Sequence, residues 1–217
     1  MPSLPLRSAD VMALHDRALA AAGWPRAAGV ASQEPDLWHW VHANHRYNSL
    51  LWAEEDLARR TTVSAAEIAA NKRAIDGFNQ ARNDATERVD ELLLTALGLV
   101  DAASARTDAP RSTVPAGARL NSETAGSIVD RMSIMALKVH AMRAQTLRSD
   151  VDEAHRTTSL VKLERLSQQR GDLAACLDVL LADALSGGAY FKVYRQFKMY
   201  NDPRFNPALV AEAKARG

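Results

Sequence analysis

Apolar residues recur along nearly the whole chain at the three-to-four-residue spacing of an amphipathic helix. No stretch alternates apolar and polar convincingly over the length of a strand. A short first helix runs from an N-cap at Ser8 to a stop at Gly23. The next starts near Ser32, carries Pro35 in its first turn and ends about Arg60. The sequence S-A-A-E from Ser64 to Glu67 is a capping box for a third helix that continues to about Leu99. Pro110, Pro115 and Gly117 mark the stretch from Asp101 to Arg119 as a loop, longer than a compact bundle usually has. A fourth helix runs from Asn121 or Ser122 to about Arg148, and a fifth from about Asp150 to Ser186, closed by Gly187 and Gly188. After these, the segment from Ala189 to Tyr200 puts Tyr190, Val193, Tyr194 and Phe197 on one helical face. The stretch N-D-P-R-F-N-P then breaks the chain before a small last helix that Asn206 caps and Pro207 enters. The pattern predicts an all-α fold, an antiparallel bundle of four long helices with short N- and C-terminal helices packed across it. One domain over 1–217 is expected, with a peripheral N-terminal segment over 1–30 and the long loop over 100–120.

The third helix carries the wrong residues for a solvated face. Asp76, Gly77, Asn79, Asn83, Asp84 and Asp90 lie in its interior, although Asn, Asp and Gly are poorer helix formers than Glu, Lys, Gln or Ala. At roughly 100° per residue, Lys72, Asp76, Asn79, Asn83 and Asp90 form one stripe beside the apolar one. Polar residues that lower helix propensity at the edge of a core point to a buried polar site. Asp84, Glu87 and Asp90 follow at steps of three and would repel unless a cation offsets them. Mg²⁺, which favours oxygen ligands, is the cation such a set would suit. The plainer alternative is a solvated acidic face countered by Lys72, Arg73, Arg82 and Arg88.

The second helix puts His45, Asn48, Trp52, Glu55 and Asp56 on one face, a general base or ligand set beside a stacking aromatic. The alternative there is core tryptophans with flanking histidines. The fourth helix stacks Glu123 and Asp130 on one side, with Arg131 and Lys138 a heptad apart nearby. Asn121, Ser122 and Thr124 at its start either cap it or leave backbone N–H groups for an anion. Gly126 inside its first turns hints at close approach of a backbone or ligand. In the fifth helix His155, Ser159, Lys162 and Gln169 share a side. Near the end, Lys192, Arg195, Lys198 and Arg204 interleave with aromatics, which suits either a phosphate with an attached ring or a tail helix with its cations in water.

Composition narrows the function classes. The net charge of +1 over 217 residues gives no argument for nucleic acid. No apolar run approaches the ~20 residues of a membrane span. The N-terminus lacks the apolar core of a secretory leader, so a cytoplasmic protein is expected. The lone Cys176, in the apolar run A-A-C-L-D-V-L-L, is expected to be a buried thiol. No P-loop, dinucleotide fingerprint, nucleophile elbow, H-E-x-x-H or paired E-x-x-H motif is present.

Four segments resemble a bacterial family known only as domain of unknown function 4254. They are H-x-x-N-x-x-L-W-x-E-E-D from His45, N-K-R-x-I-D-x-x-N-Q-x-R-N-D from Asn71, N-S-E-T-x-G-S-I-x-D-R-x-S-I from Asn121, and Y-R-Q-F-K-M-Y-N-D-P-x-x-N-P from Tyr194. The resemblance implies an all-helical bacterial protein and brings no established activity. It also implies an association with glycosyltransferase genes for cell-surface polysaccharide.

Two kinds of function fit these readings. In the first, polar stripes converge on a phosphorylated or nucleotide-linked small molecule. Lys72, Arg131, Arg195 and Lys198 would hold phosphate, with Glu55, Asp56, Asp84, Glu87 and Asp90 as acid–base or metal candidates. The remaining ligand-binding candidates are His45, Asn48, Trp52, Asp76, Asn79, Asn83, Asn121, Glu123 and Asp130. Its sharper version is an all-helical nucleoside triphosphate pyrophosphohydrolase that holds Mg²⁺ with E-x-x-E and E-x-x-D pairs. Glu87 and Asp90 fit the second pair, whereas the first is only E-E-D at Glu54 to Asp56. In the second kind, the chain is a non-catalytic partner that regulates a glycosyltransferase, or it associates with a copy of itself. A site requires a concave pocket, whereas an interface is flatter.

Overall fold

The computed structural model describes residues 4–27, 35–197 and 203–216. The elements in order are α1 (Ser8–Ala20), α2 (Leu37–Ala58), α3 (Ala65–Ala96), β1 (Arg119–Leu120), α4 (Ala125–Thr146), α5 (Glu153–Ser186), β2 (Ala189–Tyr190) and α6 (Pro207–Arg216). The fold is therefore helical almost throughout, as the periodicity predicts. Among the described residues it departs from helix in a parallel pair of two-residue strands, with Arg119 opposite Ala189 and Leu120 opposite Tyr190, and in an isolated antiparallel bridge between Val100 and Ser112.

Helix starts follow the side-chain acceptors. The expected capping box of α3 forms: the Glu67 N–H donates to Ser64 Oγ at 3.3 Å and the Ser64 N–H to Glu67 Oε2 at 3.1 Å. Helix α2 starts later than expected, because Asp36 supplies the acceptor, taking the His39 N–H at 2.8 Å. Ser32 lies outside the described residues. Ser8 does not cap α1; its N–H and hydroxyl donate to Asp178 of α5 at 2.9 and 2.6 Å, and Arg7 takes the cap position. Helix α1 ends at Ala20, and Gly23, with φ 77°, lies in the turn beyond. Helix α4 is capped by Thr124, which accepts the Ser127 N–H at 3.1 Å. The Asn121 N–H, a little earlier, is taken by the Tyr190 carbonyl at 2.8 Å in the strand pair.

The segment after α5 is not the helix its aromatic spacing predicts. It pairs as β2 and then runs without helix to Phe197. Tertiary partners outweigh local periodicity here. Phe191 is completely buried, and the Arg195 guanidinium donates to the carbonyls of Ala105 and Thr107 in the long loop, at 2.7 and 3.0 Å. Cys176 is exposed rather than buried, since α5 turns Arg170, Ala174, Leu177 and Leu181 inward and Cys176 falls off that stripe.

Helix α2 lies along α3 and α4 along α5, while α2 and α3 both meet α4 and α1 rests on α4 and α5. The core comprises Val11, Val41, Val89, Leu93, Leu94, Ile128, Met132, Leu177, Leu181 and Phe191, among others. Where α3 crosses the start of α4, the backbones approach so closely that only glycine fits. A Cβ on Gly126 would stand 2.6 Å from the Thr86 carbonyl oxygen and 2.9 Å from Asp90 Cγ. Gly77, on the same α3, has nothing within 4 Å of such a position. Gly126→Ala is accordingly expected to cost about 1–3 kcal/mol through overpacking. Gly77→Ala should gain up to about 1 kcal/mol through helix propensity. Urea melts of the two variants check this pair; equal effects would contradict the close crossing.

Candidate functional site

Three helices are tied together by one carboxylate. Asp130 of α4 accepts at Oδ1 from the amides of Asn44 and Asn48 of α2, each at 2.8 Å, and its Oδ2 lies 3.8 Å from Arg82 Nη1 of α3. The Asn44 amide also reaches Thr86 Oγ1 at 3.1 Å, and the Asn48 amide reaches Ser133 Oγ at 3.0 Å. Asn44, Asn48 and Ser133 are almost fully buried, so these bonds answer groups that water cannot reach. Asn83 takes part at the edge, its Oδ1 accepting from Arg82 Nη2 at 2.9 Å.

Above this network lies a cleft of about 690 Å³. Helix α2 contributes Asn48, Leu51, Trp52, Glu55, Asp56 and Arg59; α3 contributes Lys72, Ile75, Asp76, Asn79 and Arg82; α4 contributes Ile134 and Leu137. Lys72 is paired with Asp76, and Arg59 lies 3.4 Å from Glu55 and 4.0 Å from Asp56. Asn79 is half-buried, and its amide makes no hydrogen bond among the described residues. Trp52 stands at the lip, 36% exposed. Seven of the residues singled out from sequence thus line one cleft: Asn48, Trp52, Glu55, Asp56, Lys72, Asp76 and Asn79.

The remaining candidates lie elsewhere. Glu87 accepts from Arg195 Nη1 at 2.8 Å and from the Gln196 N–H at 3.0 Å, so it anchors the tail. Arg195 also donates to Glu91 at 2.5 Å, which engages both residues structurally. Asp84 is exposed and accepts from Gln80 Nε2 at 2.9 and 3.1 Å. Asp90 is buried beneath the start of α4, its Oδ1 accepting the Gly126 N–H at 2.6 Å. Glu123 and Arg131 pair with each other on the α4–α5 side, and the Asn121 amide donates to the Glu123 carbonyl at 2.6 Å. Lys198 lies outside the described residues. Among the described residues no three His, Cys, Asp or Glu side chains converge on a metal position.

His45 is completely buried one turn below the cleft. Its Nδ1 meets Ser133 Oγ at 2.8 Å, and its ring stacks on His15 of α1 at 4.3 Å and on Trp24 at 5.4 Å. Burial is the main force that pushes the His45 imidazole down to about 3, with His42 and Arg170 adding and the His15 backbone opposing. The same burial, then the charges of His45, Arg170 and His42, hold His15 well below its ordinary value. Asp90 moves the other way. Burial pushes its carboxyl up to about 7, against hydrogen bonds from Thr124 and the Gly126 N–H, with Glu87 adding to the rise.

These shifts give opposite slopes with pH. A histidine lowered in the fold lends stability above about 6.5, which is lost as the pH falls towards its folded value. A carboxyl raised in the fold lends stability below 3.8, which is lost as the pH rises through about 7. Urea melts between pH 8 and 4 should therefore show a loss of roughly 1.4 kcal/mol per pH unit for each histidine below 6.5, partly masked by Asp90. His15→Phe is expected to cut that acid loss by about half. Asp90→Asn keeps the acceptor for Gly126 and should be the more stable protein at pH 8, with its advantage gone near pH 4. Parallel curves for the parent and both variants would contradict the assignment.

The sequence carries no site signal for Asn44, Arg59, Ser133 or the apolar liners Leu51, Ile134 and Leu137, and Ile75 reads there only as part of the apolar stripe of α3. Asn44 precedes Asn48 by one helical turn, so it lies on the stripe that Asn48 marks. His15 carried no signal, because its partners come from a different helix.

No curated protein and no solved structure matches the chain. A family model does: the one described as "Protein of unknown function (DUF4254)" matches residues 38–193, from the second residue of α2 to just past β2. The matched stretch holds the Asp130 network and every residue lining the cleft, and the chain belongs to the DUF4254 family.

Proposed function

We propose that the chain binds a phosphorylated or nucleotide-linked small molecule in the cleft between α2, α3 and α4, as an enzyme or a binding protein. The observation that carries this reading is a concave, polar cleft of about 690 Å³ in which the half-buried Asn79 amide has no hydrogen-bond partner among the described residues. Trp52 at the lip suits a ring, and the cations Lys72, Arg59 and Arg82 suit phosphate. Those cations now face Asp76, Glu55, Asp56 and Asp130, so an incoming phosphate would exchange with carboxylates that are partly open to water. Concavity favours this reading over a flat regulatory face for a glycosyltransferase. The four long helices are read as one antiparallel bundle in a single domain, and synthesis of surface polysaccharide in the bacterial cytoplasm is the setting.

Any catalysis would fall to Glu55 and Asp56, the two of the five acid–base candidates that line the cleft. The Mg²⁺-dependent pyrophosphohydrolase reading is weakened, since Glu87 and Asp90 lie outside the cleft with other partners.

The test is a thermal-melt screen against nucleoside triphosphates, nucleotide sugars and sugar phosphates, each with Mg²⁺ or EDTA. A ligand at 100 times its dissociation constant adds about 2.7 kcal/mol, a shift of several degrees for a chain of this size. One ligand class should raise the melting temperature, and Asn79→Leu should abolish the shift while leaving the unliganded protein within about 1 kcal/mol of the parent. A flat screen with well-folded protein would overturn the small-molecule reading in favour of a protein partner.

A further inference from the structure

A second cleft, of about 430 Å³, shares Trp52 with the first and is lined otherwise by α4 and α5. Its chemistry differs from that of the first. Met142 and Leu166, both half-buried, line it with Trp52, and so do three cations: Lys138, Lys162 and Arg165. The two helices contribute in the same register. Lys138 precedes Met142 by four residues and Lys162 precedes Leu166 by four, so each helix sets a cation one turn before its apolar residue.

The charge balance is what separates this cleft from an ordinary solvated face. In the polar cleft, Lys72, Arg59 and Arg82 each have a carboxylate partner. Around the second cleft no acidic side chain is among the lining residues, and Lys138, Lys162 and Arg165 make no ion pair among the described residues. Like charges around an apolar concavity reinforce one another and focus a positive potential on it. The occupant that answers both features has an apolar body and an anionic head. The volume lies within the range of small-molecule sites.

We propose that the cleft between α4 and α5 binds a single amphiphilic anion, its hydrocarbon body against Trp52, Met142 and Leu166 and its phosphate held by Lys138, Lys162 and Arg165. The proposal stands apart from the reading of the polar cleft.

Isothermal titration of the full chain with dodecyl phosphate, kept below its micelle concentration, tests it. Inorganic phosphate and dodecyl maltoside serve as controls that carry only the head or only the tail. Saturable one-to-one binding, at least tenfold tighter than either control, is expected. Lys138→Ala with Lys162→Ala should weaken it at least tenfold, as should Leu166→Glu, whereas Lys72→Ala, which alters only the polar cleft, should leave it unchanged. Circular dichroism confirms that each variant folds. No saturable binding, equal affinity for dodecyl maltoside, or undiminished binding by the double variant would overturn the proposal. Once binding is shown, co-sedimentation with phosphatidylcholine vesicles carrying phosphatidic acid identifies the source of the anion. Retention means a membrane lipid and no retention a dispersed amphiphile, and either result upholds the site.

Discussion

The arrangement of this protein depends on how one largely desolvated carboxylate is answered. Asp130 has a side chain only 16% exposed, and the groups that offset its burial come from two other helices. A carboxylate of this kind is tolerated only when hydrogen bonds and a cation answer it, and its partners work only in one register of α2 and α3 against α4. Sliding α2 by a residue would leave two amide donors and an acid without partners, and sliding α3 would take Thr86 from Asn44 and Arg82 from Asp130. The cleft above is a by-product of that register: the side chains one and two turns away on α2 and α3 project around a space that no core residue fills.

Helix α4 is therefore read from two sides. Towards α2 and α3 it presents Asp130 and Ser133 to a hydrogen-bonded interior, and towards α5 it presents Lys138 and Met142 to a cleft without counter-charges. Its start is fixed by a third contact, where Gly126 lets the backbone of α3 approach and Asp90 accept its N–H. Burial there pushes the Asp90 carboxyl up to about 7, and burial beside Ser133 keeps His15 and His45 uncharged. The protein thus combines ionisable groups of opposite pH preference in one core. The acid-side histidines outnumber the single carboxyl.

What was legible in the sequence was whatever a helix decides by itself. The capping box at Ser64 and Glu67 and the left-handed Gly187 depend on bonds within a few residues, and both stood where the pattern put them. The stripe Lys72, Asp76 and Asn79 was readable for the same reason, since helical phase alone brings it to one side of the cleft. Phase does not say which neighbour a stripe meets. Glu87 and Asp90 are one turn apart, yet Glu87 meets Arg195 from the tail and Asp90 meets the start of α4. The aromatic spacing after Gly188 suggested a helix, but burial of Phe191 and capture of Arg195 by the loop carbonyls chose an extended path. Cys176 is exposed despite its apolar neighbours, because an apolar run on a long helix covers its exposed face as well as its buried one.

The most direct measurement is the unfolding free energy of Asp130→Ala beside that of Asp76→Ala. Both remove an aspartate that lies near a cation, but Asp76 is 60% exposed on its side chain and Asp130 holds the network. If Asp130 fixes the register of the three helices, its removal costs about 3–5 kcal/mol by leaving buried partners unanswered, and the Asp76 change stays within about 1 kcal/mol. A loss at Asp130 no greater than that at Asp76 would show that packing alone sets the register and that the network is incidental to the cleft.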